Sequence, residues 1–367
     1  MCGPGRCGLP FRVMGPLERD DLRHRVDKAL EQFLSGQATR LDAVSASLSP
    51  VQDAIGDFLL TGGKRMRPAF CYWGYRGAGG ADSDAAVTAA ACLELLQACA
   101  LIHDDVMDGS DTRRGRPAMH RRFASLHRGE QWLGDPEGFG LSAAVLLGDL
   151  CLIWADEMLN TSGLPAEALV RAQPVYDEMR VELMAGQYLD LLEQAVGGGT
   201  VESALRVARY KSAKYTIERP LHLGAVLAGA GPDVLAGYSG YGLPLGEAFQ
   251  LRDDVLGVFG DPSQTGKPAG DDLREGKRTA LVAMALAEAS PAQAAVVRRH
   301  LGDPRLGQAG VAELRQVIVD TGALAKVEEL IATLMDDALT ALADAPVDGE
   351  ARTVLEELAL AATTRTV

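Results

Sequence analysis

Residues 93–120 read LELLQACALIHDDVMDGSDTRRGRPAMH, an apolar stretch that ends in a burst of charge. Asp104, Asp105, Asp108 and Asp111 fall within eight positions, and Arg113, Arg114 and Arg116 follow at once. In a helix, positions i and i+4 share a face, so Asp104 and Asp108 point the same way with Asp105 at the flank. Like charges at that spacing repel, and a buried carboxylate without a partner is costly, so the pattern demands cations. Oxygen ligands on one face, with room for water and a second anion, suit Mg²⁺, which binds through a few carboxylates and a substrate phosphate. A solvated acidic helix end would look the same taken alone. The pattern recurs, however, in FQLRDDVLGVFGD, residues 249–261, where Asp253 and Asp254 again close an apolar helical run. Two acidic helix ends facing one cavity would hold several Mg²⁺ ions and a diphosphate between them.

A diphosphate also needs cationic donors, and the chain supplies them beside glycine or apolar pattern. Lys64, Arg65 and Arg67 crowd the glycine turn GGKRMRP, residues 62–68, at a helix start where backbone N–H groups add to anion binding. Arg113 and Arg114 follow the first acidic cluster, and the planar guanidinium fork suits phosphate oxygens. Lys211, Lys214, Lys267 and Lys277 complete the set.

Around these motifs the periodicity is helical throughout. From about Leu17 to Leu60 apolar positions recur every three or four residues, with interruptions near Gly36 and Pro50 that predict two or three short helices. Pro68 opens the next helix, and Asp82 or Ser83 caps one running to Val106 or Met107. Further helices are expected at 140–160, 165–195, 201–229, 233–259, 278–301 and 307–343. A long glycine- and charge-rich break spans 260–277, the kind of loop that carries function. Neither period-2 strand pattern nor a fixed-period repeat is visible.

Composition agrees. Hydrophobic residues make up 47% of the 367 and aromatics only 5%, as in helices whose small side chains let backbones approach closely. Fifty acidic against 36 basic residues give a net charge of −14, which argues against a nucleic-acid partner. The Ala-rich run from Ala85 to Ile102 is cut by Glu94 and Gln97, so no membrane span is expected. Cys71, Cys92, Cys99 and Cys151 sit in apolar helical pattern without metal-type spacing and read as reduced core thiols. Residues 1–16, rich in Gly and Pro, read as a disordered leader ahead of one all-α domain, 17–367, in a cytoplasmic protein.

GGKRMRP, LIHDDVMDGSDTRRGRPAMH, GQYLDL, KSAKYTIERP, FQLRDDVLGVFGD and GKPAGDDLREGKRT, in that order along the chain, resemble the trans-isoprenyl diphosphate synthases, most of all the bacterial geranylgeranyl diphosphate synthases. That resemblance implies an all-α, single-domain helical bundle of the isoprenoid synthase type around a central cavity, and a homodimer. The implied reaction is a Mg²⁺-dependent head-to-tail condensation of isopentenyl diphosphate with an allylic diphosphate, with three metal ions. By position it assigns Mg²⁺ to Asp104, Asp108 and Asp253, supported by Asp105 and Asp254. Arg113, Lys211, Lys267 and Lys277 would hold the allylic diphosphate; Lys64, Arg67, Gln97 and Arg114 would hold isopentenyl diphosphate; Ser212 and Gln250 would lie near the allylic carbon. Cys99 and Ala100, small residues at the fifth and fourth positions before Asp104, would let the growing tail pass toward a twenty-carbon product. One departure stands out: where the family's second motif often has a third aspartate, this chain has Gly257, with Asp261 the next acid. Either Asp253 and water suffice there, the reading favoured, or Asp261 substitutes. His103 is open to either a packing or a catalytic reading. Alternatives to a geranylgeranyl product are a farnesyl or longer polyprenyl diphosphate; less favoured are a terpene cyclase, which needs no isopentenyl diphosphate site, and a non-catalytic prenyl-diphosphate-binding subunit.

Overall fold

The computed structural model describes residues 21–197, 199–260 and 270–363. The expected leader, Asp261 and Lys267 lie outside the described residues. The chain is almost wholly helical: α1 (Leu22–Val44), α2 (Ser49–Leu60), α3 (Met66–Gly77), α4 (Asp84–Met107), α5 (Met119–Gly129), α6 (Pro136–Asn160), α7 (Ala166–Val196), α8 (Val201–Val207), a π-helical segment (Ala208–Glu218), α9 (Arg219–Ala228) and α10 (Pro232–Phe259). The expected 260–277 break itself holds a short helix, α11 (Asp271–Glu275), and beyond it follow α12 (Ala280–Glu288), α13 (Pro291–His300), α14 (Gln308–Asp320), α15 (Ala323–Asp344) and α16 (Gly349–Thr363).

Helix α4 is the axis of the molecule. Ser83 caps it by accepting from the Ala86 N–H, and Ala89, Ala90, Ala91, Cys92, Leu93, Leu95, Leu96 and Cys99 are fully buried along it. Its small residues let α6, α3 and α1 pack close on several sides, and α10 packs in turn on the π segment and α15. Among the described residues two helices, α4 and α6, are long and apolar enough to cross a membrane by length and composition. For α4 the burial explains the apolarity, since 72% of its most hydrophobic window lies inside the protein; for α6 the figure is 39%, and Leu146 and Ile153 stay exposed.

Several expected boundaries move. Gly36 does not interrupt α1, because it lies mid-helix with open space around its Cα, and a solvent-facing glycine weakens a helix without ending it. The run expected at 278–301 divides at Ser290, which forms a capping box with Gln293 and is followed by Pro291. The run at 307–343 divides at Gly322, at φ +73°, and α16 was not expected as a separate element. Strand pattern, absent from the sequence reading, occurs once among the described residues: Thr112–Arg113 (β1) pairs antiparallel with Arg116–Pro117 (β2). The turn residues Arg114 and Gly115 both have positive φ, +54° and +72°, the signature of a two-residue type I′ hairpin.

Candidate active site

Both acidic helix ends open on one cavity of about 780 Å³. Gln97, Ala100, Leu101 and Asp104 line it from one face of α4; Leu183, Gln187 and Asp190 from α7; Lys211, Ser212 and Tyr215 from the π segment; Phe249, Gln250, Asp253 and Asp254 from α10. Lys64, Arg67, Arg113, Arg114, Asp272 and Lys277 complete the polar lining. Ala100, Leu101, Leu183 and Phe249 add apolar wall suited to a hydrocarbon tail.

Of the candidate cations, Arg113, Lys211 and Lys277 face the first acidic cluster. Asp104 Oδ1 accepts from Lys211 Nζ at 3.1 Å and from Gln187 Nε2 at 3.0 Å, and Arg113 Nη2 reaches its other oxygen at 3.4 Å. Burial opposes ionisation of Asp104, yet Lys211, Lys277 and Arg113 outweigh it and hold the carboxyl well below the usual range. Lys211 is shared with Asp190 at 2.6 Å. Arg113 Nε donates to the fully buried Asp105 at 2.8 Å. Asp108, not itself among the lining residues, lies 3.2 Å from Lys277 Nζ, which does line the cavity and also meets Glu275 at 2.7 Å and Asp272 at 3.6 Å. Burial, reinforced by Asp104 and Glu275, pushes Asp108 up to about 6. On α10, Asp254 accepts from Gln250 Nε2 at 2.7 Å, and burial pushes it up to about 8.

Neighbouring arginines part company at the hairpin. Arg113, the last residue of β1, folds back on Asp104 and Asp105, whereas Arg114, in the left-handed turn at φ +54°, reaches α2 and donates to the Phe58 carbonyl at 3.3 Å. Arg67 donates to Thr216 Oγ1 at 2.7 Å and lies 4.4 Å from the Tyr215 ring centroid, and Tyr215 OH donates to Gln97 at 2.9 Å. Lys211, Ser212, Tyr215 and Thr216 all belong to the π segment, a conformation that concentrates at functional sites.

The residues present fit Mg²⁺. The candidate ligands Asp104, Asp108 and Asp253 offer hard carboxylate oxygens, which Mg²⁺ prefers, and Asp108 Oδ1 is buried with no hydrogen-bond partner among the described residues.

Not every expected position reaches the cavity. Cys99 is fully buried and absent from the lining; its Sγ lies 3.8 Å from His103 Nδ1. His103 in turn lies 3.1 Å from the Val145 carbonyl of α6, the packing role of its two readings. Gly257 lines the cavity because Asp272 fills the place of a side chain: a Cβ there would stand 1.7 Å from Asp272 Oδ2. Sequence reasoning assigned no role to Gln187, Asp190, Tyr215 or Asp272, although GQYLDL, KSAKYTIERP and the GKPAGDDLREGKRT stretch contain them.

Comparison with known proteins agrees with this architecture. The polyprenyl synthetase family profile matches residues 49–318. The geranylgeranyl pyrophosphate synthase of Corynebacterium glutamicum, solved in complex with isoprenyl diphosphate and magnesium, is 44% identical with a TM-score of 0.92, covering 95% of this chain and 99% of that one. Geranylfarnesyl diphosphate synthase of Aeropyrum pernix is 33% identical over 91% of this chain and 96% of its own length, and octaprenyl diphosphate synthase of Escherichia coli is 31% identical over 77% and 83%. The chain belongs to the polyprenyl synthetase family and is a trans-prenyltransferase.

Proposed function

We propose that the protein condenses isopentenyl diphosphate head-to-tail with allylic diphosphates and releases geranylgeranyl diphosphate. The observation that carries this is the convergence of two acidic helix ends and two groups of cations on one cavity with apolar walls. A cyclase would need only one anion grip; here Arg113, Lys211 and Lys277 pair with the acids, while Arg67 and Arg114 donate to Thr216 and the Phe58 carbonyl and line the same cavity with Lys64. The first group, with Lys267, holds the allylic diphosphate, and the second, with Gln97, holds isopentenyl diphosphate.

Asp104, Asp108 and Asp253 would hold Mg²⁺, three ions in all, which when bound neutralises the leaving diphosphate. Lys211 and Arg113 then turn from Asp104 toward phosphate oxygens and stabilise the charge that develops as the allylic C1–O bond breaks. Ser212 and Gln250 flank the cationic carbon, and Phe249, Leu183 and Leu101 keep water from it. The double bond of isopentenyl diphosphate attacks that carbon, a new C–C bond forms, and the proton lost passes to the departing diphosphate. The product is one isoprene unit longer. Asp105 and Asp254 hold the neighbouring groups in place.

The small Ala100 on the cavity wall, together with the likeness to a geranylgeranyl pyrophosphate synthase across nearly the whole chain, supports the twenty-carbon product. An apolar face on α6 and α7, with Leu146, Ile153, Val181, Tyr188 and Val196 largely exposed, supports a homodimer, formed by one catalytic domain per chain in the cytoplasm. Purified protein given each allylic diphosphate with and without isopentenyl diphosphate tests the reading. Condensation requiring both substrates and Mg²⁺, with turnover lost by orders of magnitude in Asp104→Asn and in Asp253→Asn, is expected. Conversion of an allylic diphosphate alone would make it a cyclase instead.

A further inference from the structure

Between Lys64 and Arg67, which line the cavity, stands Arg65, a residue of opposite character. Its side chain is only 3% exposed, and its backbone is left-handed at φ +51°, a conformation that non-glycine residues adopt where the surroundings enforce it. The guanidinium is divided among three helices. Nε donates to Asp27 of α1 at 2.7 Å, Nη2 to the Leu59 carbonyl of α2 at 2.6 Å, and Nη1 to Glu94 of α4 at 2.5 Å. Gly63 closes over this group: a Cβ there would stand 2.9 Å from Arg65 Nη1 and 3.5 Å from Glu94 Oε2. The loop is thus wrapped around the guanidinium.

This cluster does more than fill space. A buried ion pair is poor value for stability alone, since apolar residues of similar volume serve as well or better. What the guanidinium fork does supply is orientation in three directions at once. It fixes the left-handed step from which Lys64 and Arg67 reach the cavity. Glu94 has a further role: burial, with Arg65, Arg113 and Arg67, disfavours the charge on Arg114, and Glu94 opposes them.

We propose that Arg65, held by Glu94 and Asp27, is the positioning residue of the isopentenyl diphosphate half of the site: it touches no substrate and aims the loop that does. The inference rests on the reading that Lys64 and Arg67 grip isopentenyl diphosphate. Steady-state kinetics of the full-length enzyme, varying each substrate in turn, test it with Arg65→Lys, Asp27→Asn and Arg67→Ala. Lysine keeps the charge but lacks the fork. Arg65→Lys and Asp27→Asn should raise KM for isopentenyl diphosphate about three- to tenfold while moving that for the allylic substrate by less than about twofold. If Arg65→Lys does not fold, Asp27→Asn, whose side chain is 32% exposed, carries the test. A lowered melting temperature with both KM values unchanged, or equal rises in both, would overturn the positioning role. Arg67→Ala separates the two layers. Unselective effects there sink the division of cations itself, whereas a selective Arg67→Ala beside unselective Arg65→Lys and Asp27→Asn sinks only the positioning role.

Discussion

Gly257→Asp restores the third acid that the family's second motif often carries, and the structure predicts that it impairs the enzyme. A Cβ at this position would lie 1.7 Å from Asp272 Oδ2 and 2.6 Å from its Cγ. Ordinary contacts begin near 3.4 Å, so the Asp272 carboxylate must retreat by about 1.5 Å. The far end of a side chain can do this, but Asp272 is one of the partners of Lys277, which also contacts Asp108 and Glu275. Overpacking of this kind costs about 1–3 kcal/mol. With an unfolding entropy of about 2 cal/mol/K per residue, a chain of this length loses about 1.3 °C per kcal/mol, hence about 3 °C for a cost of 2 kcal/mol. Catalysis suffers more, because a shift on the order of 1 Å at Lys277 misaligns the grip on the allylic diphosphate. A fall of tenfold or more in kcat/KM for the allylic substrate is expected, about 1.4 kcal/mol of transition-state stabilisation. Calorimetry and initial rates at saturating Mg²⁺ are the assays. If Gly257→Asp melts with the wild type and turns over as fast or faster, Asp272 does not stand in for the missing acid and the packing argument fails.

Other consequences are simpler to read. Ala100→Phe, which puts a ring on the cavity wall, should shift the main product from twenty carbons toward fifteen, and Cys99→Phe should do so if the tail also passes the α6 side of α4; unchanged product from both active variants would place the length limit on another helix. Burial pushes the Cys71 thiol up to about 12, and likewise that of Cys99, so at pH 8 about one thiol in ten thousand is ionised and the four buried cysteines should resist alkylation until the protein unfolds; mass spectrometry of native protein labelled at these sites would contradict this. Burial disfavours the Glu182 carboxylate, but hydrogen bonds from Arg219 and Lys214 outweigh it and lower its pKa. A depressed carboxyl stabilises the fold above its unfolded pKa and loses that contribution as pH falls through the folded value. The gap in urea midpoint between wild type and Glu182→Gln should therefore be full above about pH 5 and shrink below it, and a gap independent of pH would refute the assignment.

Much of the site was legible because its chemistry follows local rules. Carboxylates at i and i+4 must share a face, and Ser83 before an apolar run must cap a helix, so α4 and its acidic end were readable from residues 83–108 alone. The breaks at Ser290–Pro291 and Gly322 were also written in the chain, but as cap and turn signals inside long apolar patterns that outweighed them. What only the folded chain decided is which groups meet across distance. Lys211 and Asp104 lie 107 positions apart, and Arg67 and Thr216 lie 149 apart; their pairing depends on how α3, α4, α7 and the π segment pack. The same is true of Gly257, whose lack of a side chain looks like a lost ligand in sequence and in space is the room that Asp272 occupies. Arg65 is the clearest case. Its neighbours in sequence make it one of three cations in an anion-binding turn, and only burial among α1, α2 and α4 separates it from Lys64 and Arg67, because a side chain 3% exposed and turned on Asp27, Leu59 and Glu94 is not in the cavity where a phosphate would bind.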